Sequence, residues 1–264
     1  MGFLLDIDGT LLDGGRPIDG AADALAVLRE RGVPVLFATN TSRKSRASIA
    51  GSLRSVGLRA RDEEVLNASW AAAVRLRSAG VRRVHLLLTP DAASDWGGFD
   101  VVDEDAEAVV VGDMGRLFDF SRLERAYRCL RAGARLVAAH RNPYWKGPEG
   151  WTLDAGAFVV ALEYAAGVEA ELIGKPAPGF FEMAARILGR PAAALTIVGD
   201  DLDVDVAGGR AAGLRTVLVR TGKFDAARLA ATPAERAPDA VLASIRDLPS
   251  ALGRFAPADA NRPA

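Results

Sequence analysis

A single cysteine, Cys129, is all the thiol this chain has. No disulfide can form within it, and a lone thiol of this kind suits a reducing compartment, where it serves as a small buried apolar residue. Lysine is almost as scarce: of 33 basic residues only Lys44, Lys146, Lys175 and Lys223 are lysines. In so alanine-rich a chain the arginine preference reflects coding composition, but it makes each lysine easier to weigh. Net charge is nearly absent, since 34 acidic residues leave −1, which excludes the polybasic surface of a nucleic-acid binder. Apolar runs fall short of the roughly 18 residues that a membrane span needs. The apolar start of the chain meets Asp6 too soon for a signal peptide. The expectation is a cytoplasmic protein with no nucleic-acid or membrane partner. Internal repeats, heptads and low-complexity blocks are also lacking.

What is present is enough for one or two real cores: 264 residues, 50% hydrophobic and 25% charged. Short apolar runs alternate with longer segments of helical period, the pattern of an α/β protein whose largely parallel, Rossmann-like doubly wound sheet is crossed over by helices. Strands are expected at 2–5, 33–38, 84–88, 108–111, 135–138, 171–173, 195–198 and 216–219, and helices at 20–31, 43–56, 69–79, 121–132, 158–166, 179–188 and 204–212. The tail, 254–264, reads as frayed.

Polar residues gather at four strand ends: Asp6 and Asp8, Thr39 and Asn40, Gly174 and Lys175, Gly199 and Asp200. Parallel sheets place ligand sites at such carboxyl ends. The stretch between the second and third clusters is too long for one crossover and carries its own strand and helix pattern. It reads as an inserted α/β domain, 83–167, within a core formed by 1–82 and 168–264.

Asp6 and Asp8, at i and i+2 after an apolar strand, would face the same way and repel unless a cation lies between them. Gly9 then allows a tight turn. A strand ending in an ordinary polar turn is the plainer reading; an EF-hand fits poorly, because its glycine falls elsewhere and its acids follow no buried strand. Thr39 and Asn40 stand where the next helix would begin, so they serve equally as helix caps or, at the strand tip, as ligands of a phosphoryl oxygen. Lys175 can be a solvated lysine or a charge at a strand tip that needs an anion. It does not belong to a P-loop, since Pro176 stands where Ser or Thr is required. Asp203 and Asp205 are explained as acids near a helix start, whereas Asp200, at the strand tip, points to a metal site. His140, in the loop 140–146, reads equally as functional or as a capped strand end, and His85 reads as a sheet residue.

In this order the four clusters resemble the motifs of the haloacid dehalogenase superfamily of phosphotransferases. The long insertion and Gly199-Asp200-Asp201-Leu202-Asp203-Val204-Asp205 resemble its IIA branch. Within that branch the likeness is to the phospholysine phosphohistidine inorganic pyrophosphate phosphatase group. It extends to Ala161-Leu162-Glu163-Tyr164, Gly174-Lys175-Pro176 and Arg220-Thr221-Gly222-Lys223-Phe224, and so covers nearly the whole chain to about Leu252.

The resemblance implies a magnesium-dependent phosphatase of small phosphorylated molecules, with Asp6 as nucleophile and Asp8 as acid and base. It implies a magnesium ion held by Asp6, the Asp8 carbonyl and Asp200, phosphoryl oxygens held by Thr39, the Asn40 amide and Lys175, and Asp205 or Asp201 orienting Lys175 or metal-bound water. By the same resemblance the insert is a cap that selects the substrate, with Arg141, Tyr144 and Lys146 among its contacts, and through which two copies pair. Thr41 departs from the second asparagine of many nucleotide-directed relatives, which blurs specificity and leaves catalysis intact. Of the rivals, a haloacid dehalogenase proper lacks the second acid, a receiver-like phospho-acceptor is about half as long, and an idle descendant has usually lost motif acids that this chain keeps.

Overall fold

The structure, a computed structural model, describes residues 1–147 and 150–255, without the side chain of Lys146. It divides into two compact units. The first takes Met1–Thr39, Ala50–Leu66 and the chain from Lys175 onward; the second takes Asn40–Ile49 and Asn67–Gly174.

The first unit is built on a six-stranded sheet in the order Ala240–Leu242, Arg215–Val219, Leu195–Gly199, Gly2–Leu5, Val35–Thr39, Val65–Asn67. Its first five strands pair in parallel. Gly2–Leu5, Val35–Thr39 and Leu195–Gly199 are buried along their whole length, which is why each is a continuous apolar run with no polar alternation. Helix Ala21–Glu30 buries Ala21, Ala24, Leu25 and Leu28, one stripe at helical spacing. Helix Pro178–Leu188 buries Phe180, Phe181, Met183 and Ala184. Phe37, with no exposed surface, is worth about 1.5–3 kcal/mol by burial alone. The strand order reverses direction at Gly2–Leu5, with Val35–Thr39 on one side and Leu195–Gly199 on the other. This is the switch point at which such sheets open a crevice for ligands.

The second unit has a five-stranded sheet in the order Glu171–Leu172, Arg135–Ala138, Ala108–Val111, Arg83–Leu87, Asp100–Val101, again parallel. Helices Phe120–Arg131 and Ala155–Ala166 cover it through Ala126, Cys129, Leu130, Val159 and Leu162. This unit is larger than the 83–167 insert expected from the sequence. Helix Ala68–Ser78 buries Ala68, Ala71, Ala72, Ala73 and Leu76, and Ser69 on it accepts a hydrogen bond of 3.0 Å from Trp96 Nε1. Gly80, φ +76°, is the turn that closes this helix, and that turn produces the sequence break near residue 80.

Three expectations need correction. The strand at 171–173 ends as Glu171–Leu172 and belongs to the second sheet, so Lys175 does not leave a strand of the first. The tail is ordered further than its composition suggests: Leu252–Phe255 forms a 3-10 turn in which Phe255 is buried, its ring edge-on to Phe3 at 6.0 Å. Residues 256–264 lie outside the described residues. The segment expected as a helix at 204–212 is a π turn, Leu202–Ala207, running into Gly208–Ala211. The strands Val65–Asn67, Asp100–Val101 and Ala240–Leu242 were too short to leave a period in the sequence.

Candidate active site

Asp6 is the first residue past the central strand. Its amide still donates to Val198 O at 2.9 Å, and the register Leu5↔Phe37 and Leu5↔Val198 carries it to the level of Ala38 and Gly199, near the carboxyl ends of the flanking strands. Strand alternation does not carry on to Asp8. The chain turns at once, with the amides of Leu11 and Leu12 both donating to Ile7 O at 2.9 Å, the Gly9 amide donating to Leu12 O at 2.6 Å, and Gly9 at φ +86°. Asp6 is thus buried and Asp8 exposed. The two acids therefore sit in different environments.

Lys175 reaches this point from outside the sheet. Its ammonium, buried, lies 2.6 Å from Asp6 Oδ1 and 2.6 Å from Asp205 Oδ1. Asp205 sits on the π turn, its amide donating to Asp201 O at 3.0 Å. A Cβ on Gly199 would collide with its carboxylate. Widened turns of this kind recur at functional sites because they redirect one side chain without ending the helix. Between Asp201 and Asp205, the acid bonded to Lys175 is Asp205. Asp201 instead caps the turn, accepting from the amides of Asp203 at 2.9 Å and Val204 at 3.1 Å, and pairs with Lys223 Nζ at 3.2 Å. Asp203 lies outward, paired with Arg228 at 2.6 Å.

Asp200 follows strand Leu195–Gly199 and is buried. Its Oδ2 accepts from the Lys223 amide at 2.7 Å. One oxygen from each of Asp6, Asp200 and Asp205 lies within 4.8 Å of the others. Burial, then the charges of Asp6 and Asp205, pushes Asp200 up to about 7; burial also pushes Asp205 up to about 6, against the pull of Lys175. Asp6 is raised by burial despite Lys175. Burial opposes the charge on Lys175, but Asp205 and Asp6 override it and hold the ammonium firmly protonated. Lys175 bonds Asp6 and Asp205, while Lys223 acts on Asp200 and Asp6 and pairs with Asp201, so these four acids outnumber the two lysines. This charge deficit, among oxygen donors alone, fits a hard divalent cation such as magnesium.

Thr39, buried, ends the strand beside Asp6. Asn40, next in the chain, belongs to the second unit, as does His140, whose Nε2 lies 2.9 Å from Ser42 Oγ and 3.6 Å from Asp154. His85 Nδ1 meets Val102 O at 2.9 Å, a sheet residue as its sequence context suggested. Arg141 is held by Glu163 at 3.1 and 2.8 Å, and the Lys146 side chain lies outside the described residues. The sequence reading passed over Thr221, Gly222 and Lys223 as site residues. The scarcity of lysine, which singled out Lys175, was the signal that could have found Lys223.

This architecture has known counterparts. Residues 3–100 match the haloacid dehalogenase-like hydrolase family, and residues 172–248 a HAD-hydrolase-like family. The chain is 38% identical over 230 residues to phospholysine phosphohistidine inorganic pyrophosphate phosphatase of Bos taurus, covering 84% of each. It superposes on a p-nitrophenyl phosphatase from Archaeoglobus fulgidus with a TM-score of 0.88 and 32% identity, over 95% of this chain and 98% of that one. A glycerol phosphate phosphatase from Mycobacterium tuberculosis, in complex with magnesium, gives a TM-score of 0.83 and 32% identity over 93% of this chain and 75% of that one. The chain belongs to the haloacid dehalogenase-like hydrolases. Within that family it stands with the phosphatases.

Proposed function

We propose that the chain hydrolyses small phosphorylated molecules in two steps at Asp6, a reading carried by one observation: a carboxylate at a strand tip, buried, with Lys175 on one oxygen and Asp200 close by. Asp6 attacks phosphorus and forms an aspartyl phosphate as the leaving oxygen departs with a proton from Asp8. Asp8, now ionised, takes a proton from water, which attacks the same phosphorus and releases Asp6 and inorganic phosphate. The exposure of Asp8 suits a group that must exchange protons with leaving groups and water. Thr39, the Asn40 amide and Lys175 hold phosphoryl oxygens, and Asp205 orients Lys175. Phosphoryl transfer asks for this kind of alignment and charge neutralisation more than for covalent novelty.

Magnesium, held by the Asp6 carboxylate, the Asp8 carbonyl and Asp200, would neutralise charge on the transferring group. The crowded carboxylates of Asp6, Asp200 and Asp205 support this assignment. The second unit serves as the cap that selects the leaving group. Its exposed Trp151 and Leu153, two apart on one strand, and Val160 and Tyr164, four apart on one helix, favour pairing of two copies through it, since exposed apolar surface marks association. Light scattering of wild type and Tyr164→Glu tests that pairing. The lone buried cysteine favours a cytoplasmic setting, and no helix among the described residues is long and apolar enough to cross a membrane.

The bovine relative's name favours phosphohistidine, phospholysine or pyrophosphate as a more particular substrate class. Hydrolysis of para-nitrophenyl phosphate with and without magnesium, followed by a panel of esters, phosphoramidates and pyrophosphate, tests both levels. Full activity in excess chelator would remove the metal assignment. Preference for esters over phosphoramidates and pyrophosphate would remove the narrower class.

A further inference from the structure

We propose that Thr221, Gly222 and the Lys223 amide form a clasp that positions the cation site, a proposal that rests on Asp200 and the Asp8 carbonyl holding magnesium. The clasp follows strand Arg215–Val219, more than two hundred residues from the turn it grips. Thr221 Oγ1 donates to Gly9 O at 2.5 Å. The Lys223 amide donates to Asp200 Oδ2 at 2.7 Å. Between these two bonds the backbones of Gly9 and Gly222 touch: a Cβ on Gly9 would lie 3.0 Å from Gly222 Cα, one on Gly222 would lie 2.5 Å from Gly9 Cα, and either would strike Asp200 Oδ2. Both glycines have positive φ, +86° and +61°, so the close approach depends on residues that lack a side chain and accept that backbone shape.

The consequence reaches two donors at once. With Oδ2 committed to the Lys223 amide, Asp200 presents its other oxygen to the cation. With its carbonyl tied to Thr221 and its amide donating to Leu12 O at 2.6 Å, Gly9 is held on both sides, and that amide is part of the Asp8–Gly9 peptide whose carbonyl is the second donor. Asp200 and Asp8 come from different strands, and the clasp is the element that bonds to both segments. Its contribution should resemble that of other outer partners of metal ligands, whose loss costs roughly tenfold or more in metal affinity.

The test is magnesium binding by the full chain, measured by calorimetry and by magnesium-dependent thermal shift, with no substrate. Thr221→Val should weaken magnesium binding about tenfold and Thr221→Ala should do the same, while Thr221→Ser, which keeps the donor, binds like wild type. Circular dichroism reports folding, and either apolar variant suffices if the other fails to fold. A lower melting temperature with unchanged magnesium affinity would mean that Thr221 only braces the fold, and would overturn the clasp. Wild type that binds no magnesium would overturn the metal reading itself, an outcome distinct from a clasp that fails in a protein that binds it.

Discussion

Lys175 Nζ stands 2.6 Å from Asp6 Oδ1 and 2.6 Å from Asp205 Oδ1, with all three groups buried. An ammonium shared by two carboxylates holds Asp6 in place and favours its charge, against a burial that still leaves its pKa raised. Removing it leaves two buried acids without their shared ammonium, at a cost of about 3–5 kcal/mol. Lys175→Met should therefore melt well below wild type in the absence of magnesium and lose nearly all activity. Lys175→Arg should not rescue it, because a planar fork cannot replace a compact ammonium here. Asp205→Asn keeps a polar neighbour for Lys175 and should fall between. Normal turnover by Lys175→Met would end the assignment.

Asp6 and Asp8 separate by chemistry. Asp6→Asn should abolish turnover with the fold intact, and even a few per cent of residual activity would exclude a nucleophilic role. Asp8→Asn should cost about 10²–10⁴-fold, as for loss of a general acid, with a smaller loss on para-nitrophenyl phosphate, whose leaving group needs little protonation. An equal loss on good and poor leaving groups would count against Asp8 as the acid.

These two acids also mark how far the sequence could be read. The apolar runs around 2–5 and 195–198 announced the strands because buried parallel strands carry no polar alternation, and the acids after them announced the site. The reason given for Asp8 was mistaken in detail, since a turn and not strand alternation places it. Lys175 was visible as a rare lysine after an apolar run. That its strand lies in the other sheet was not, because pairing partners leave no mark in a two-residue strand. The grip of Thr221 on Gly9 was equally hidden: a contact spanning this much chain rests on backbone geometry, and one hydroxyl among many carries no local signal.

Away from the site, Glu64 offers a test of acid stability. It is buried, accepting from Arg29 at 2.9 and 2.8 Å, from Arg61 Nη2 at 3.0 Å and from the Arg61 amide at 2.9 Å. Burial alone would raise its pKa, but Arg29 and Arg61 outweigh it and hold the carboxyl below its ordinary 4.5. A carboxylate whose pKa is lowered on folding adds stability that is fully present above 4.5 and is lost as pH falls through the folded value. Glu64→Gln should lose about 1–3 kcal/mol at pH 7, and the gap between variant and wild type should narrow below pH 4.5. Parallel melting curves across that range would show that the carboxylate's charge contributes nothing.

Arg141 was expected to read the leaving group, yet the structure gives its guanidinium to Glu163, 3.1 Å to Oε1 and 2.8 Å to Oε2, and Glu163 Oε1 also accepts from the Ala170 amide at 2.9 Å. The expected loop 140–146 runs into strand Tyr144–Gly147, and a fork-to-fork pair of this kind ties the segment before that strand to helix Ala155–Ala166 within the second unit. The Arg141 side chain is 43% exposed, so the pair is worth about 1 kcal/mol or less, and its effect should be on loop position more than on stability. Arg141→Ala and Glu163→Ala should then behave alike across a panel of esters, pyrophosphate and phosphoramidates, and the double variant should be no worse than either single one. Tyr144 is 58% exposed on strand Tyr144–Gly147, which pairs antiparallel with Gly150–Leu153, its ring edge-on to Trp151 at 5.1 Å. Tyr144→Ala should reorder the panel while leaving acetyl phosphate, which has little leaving group to recognise, nearly unchanged. If Arg141→Ala reorders the panel and Glu163→Ala does not, Arg141 leaves Glu163 to meet the substrate, and the pair seen here is only its resting place.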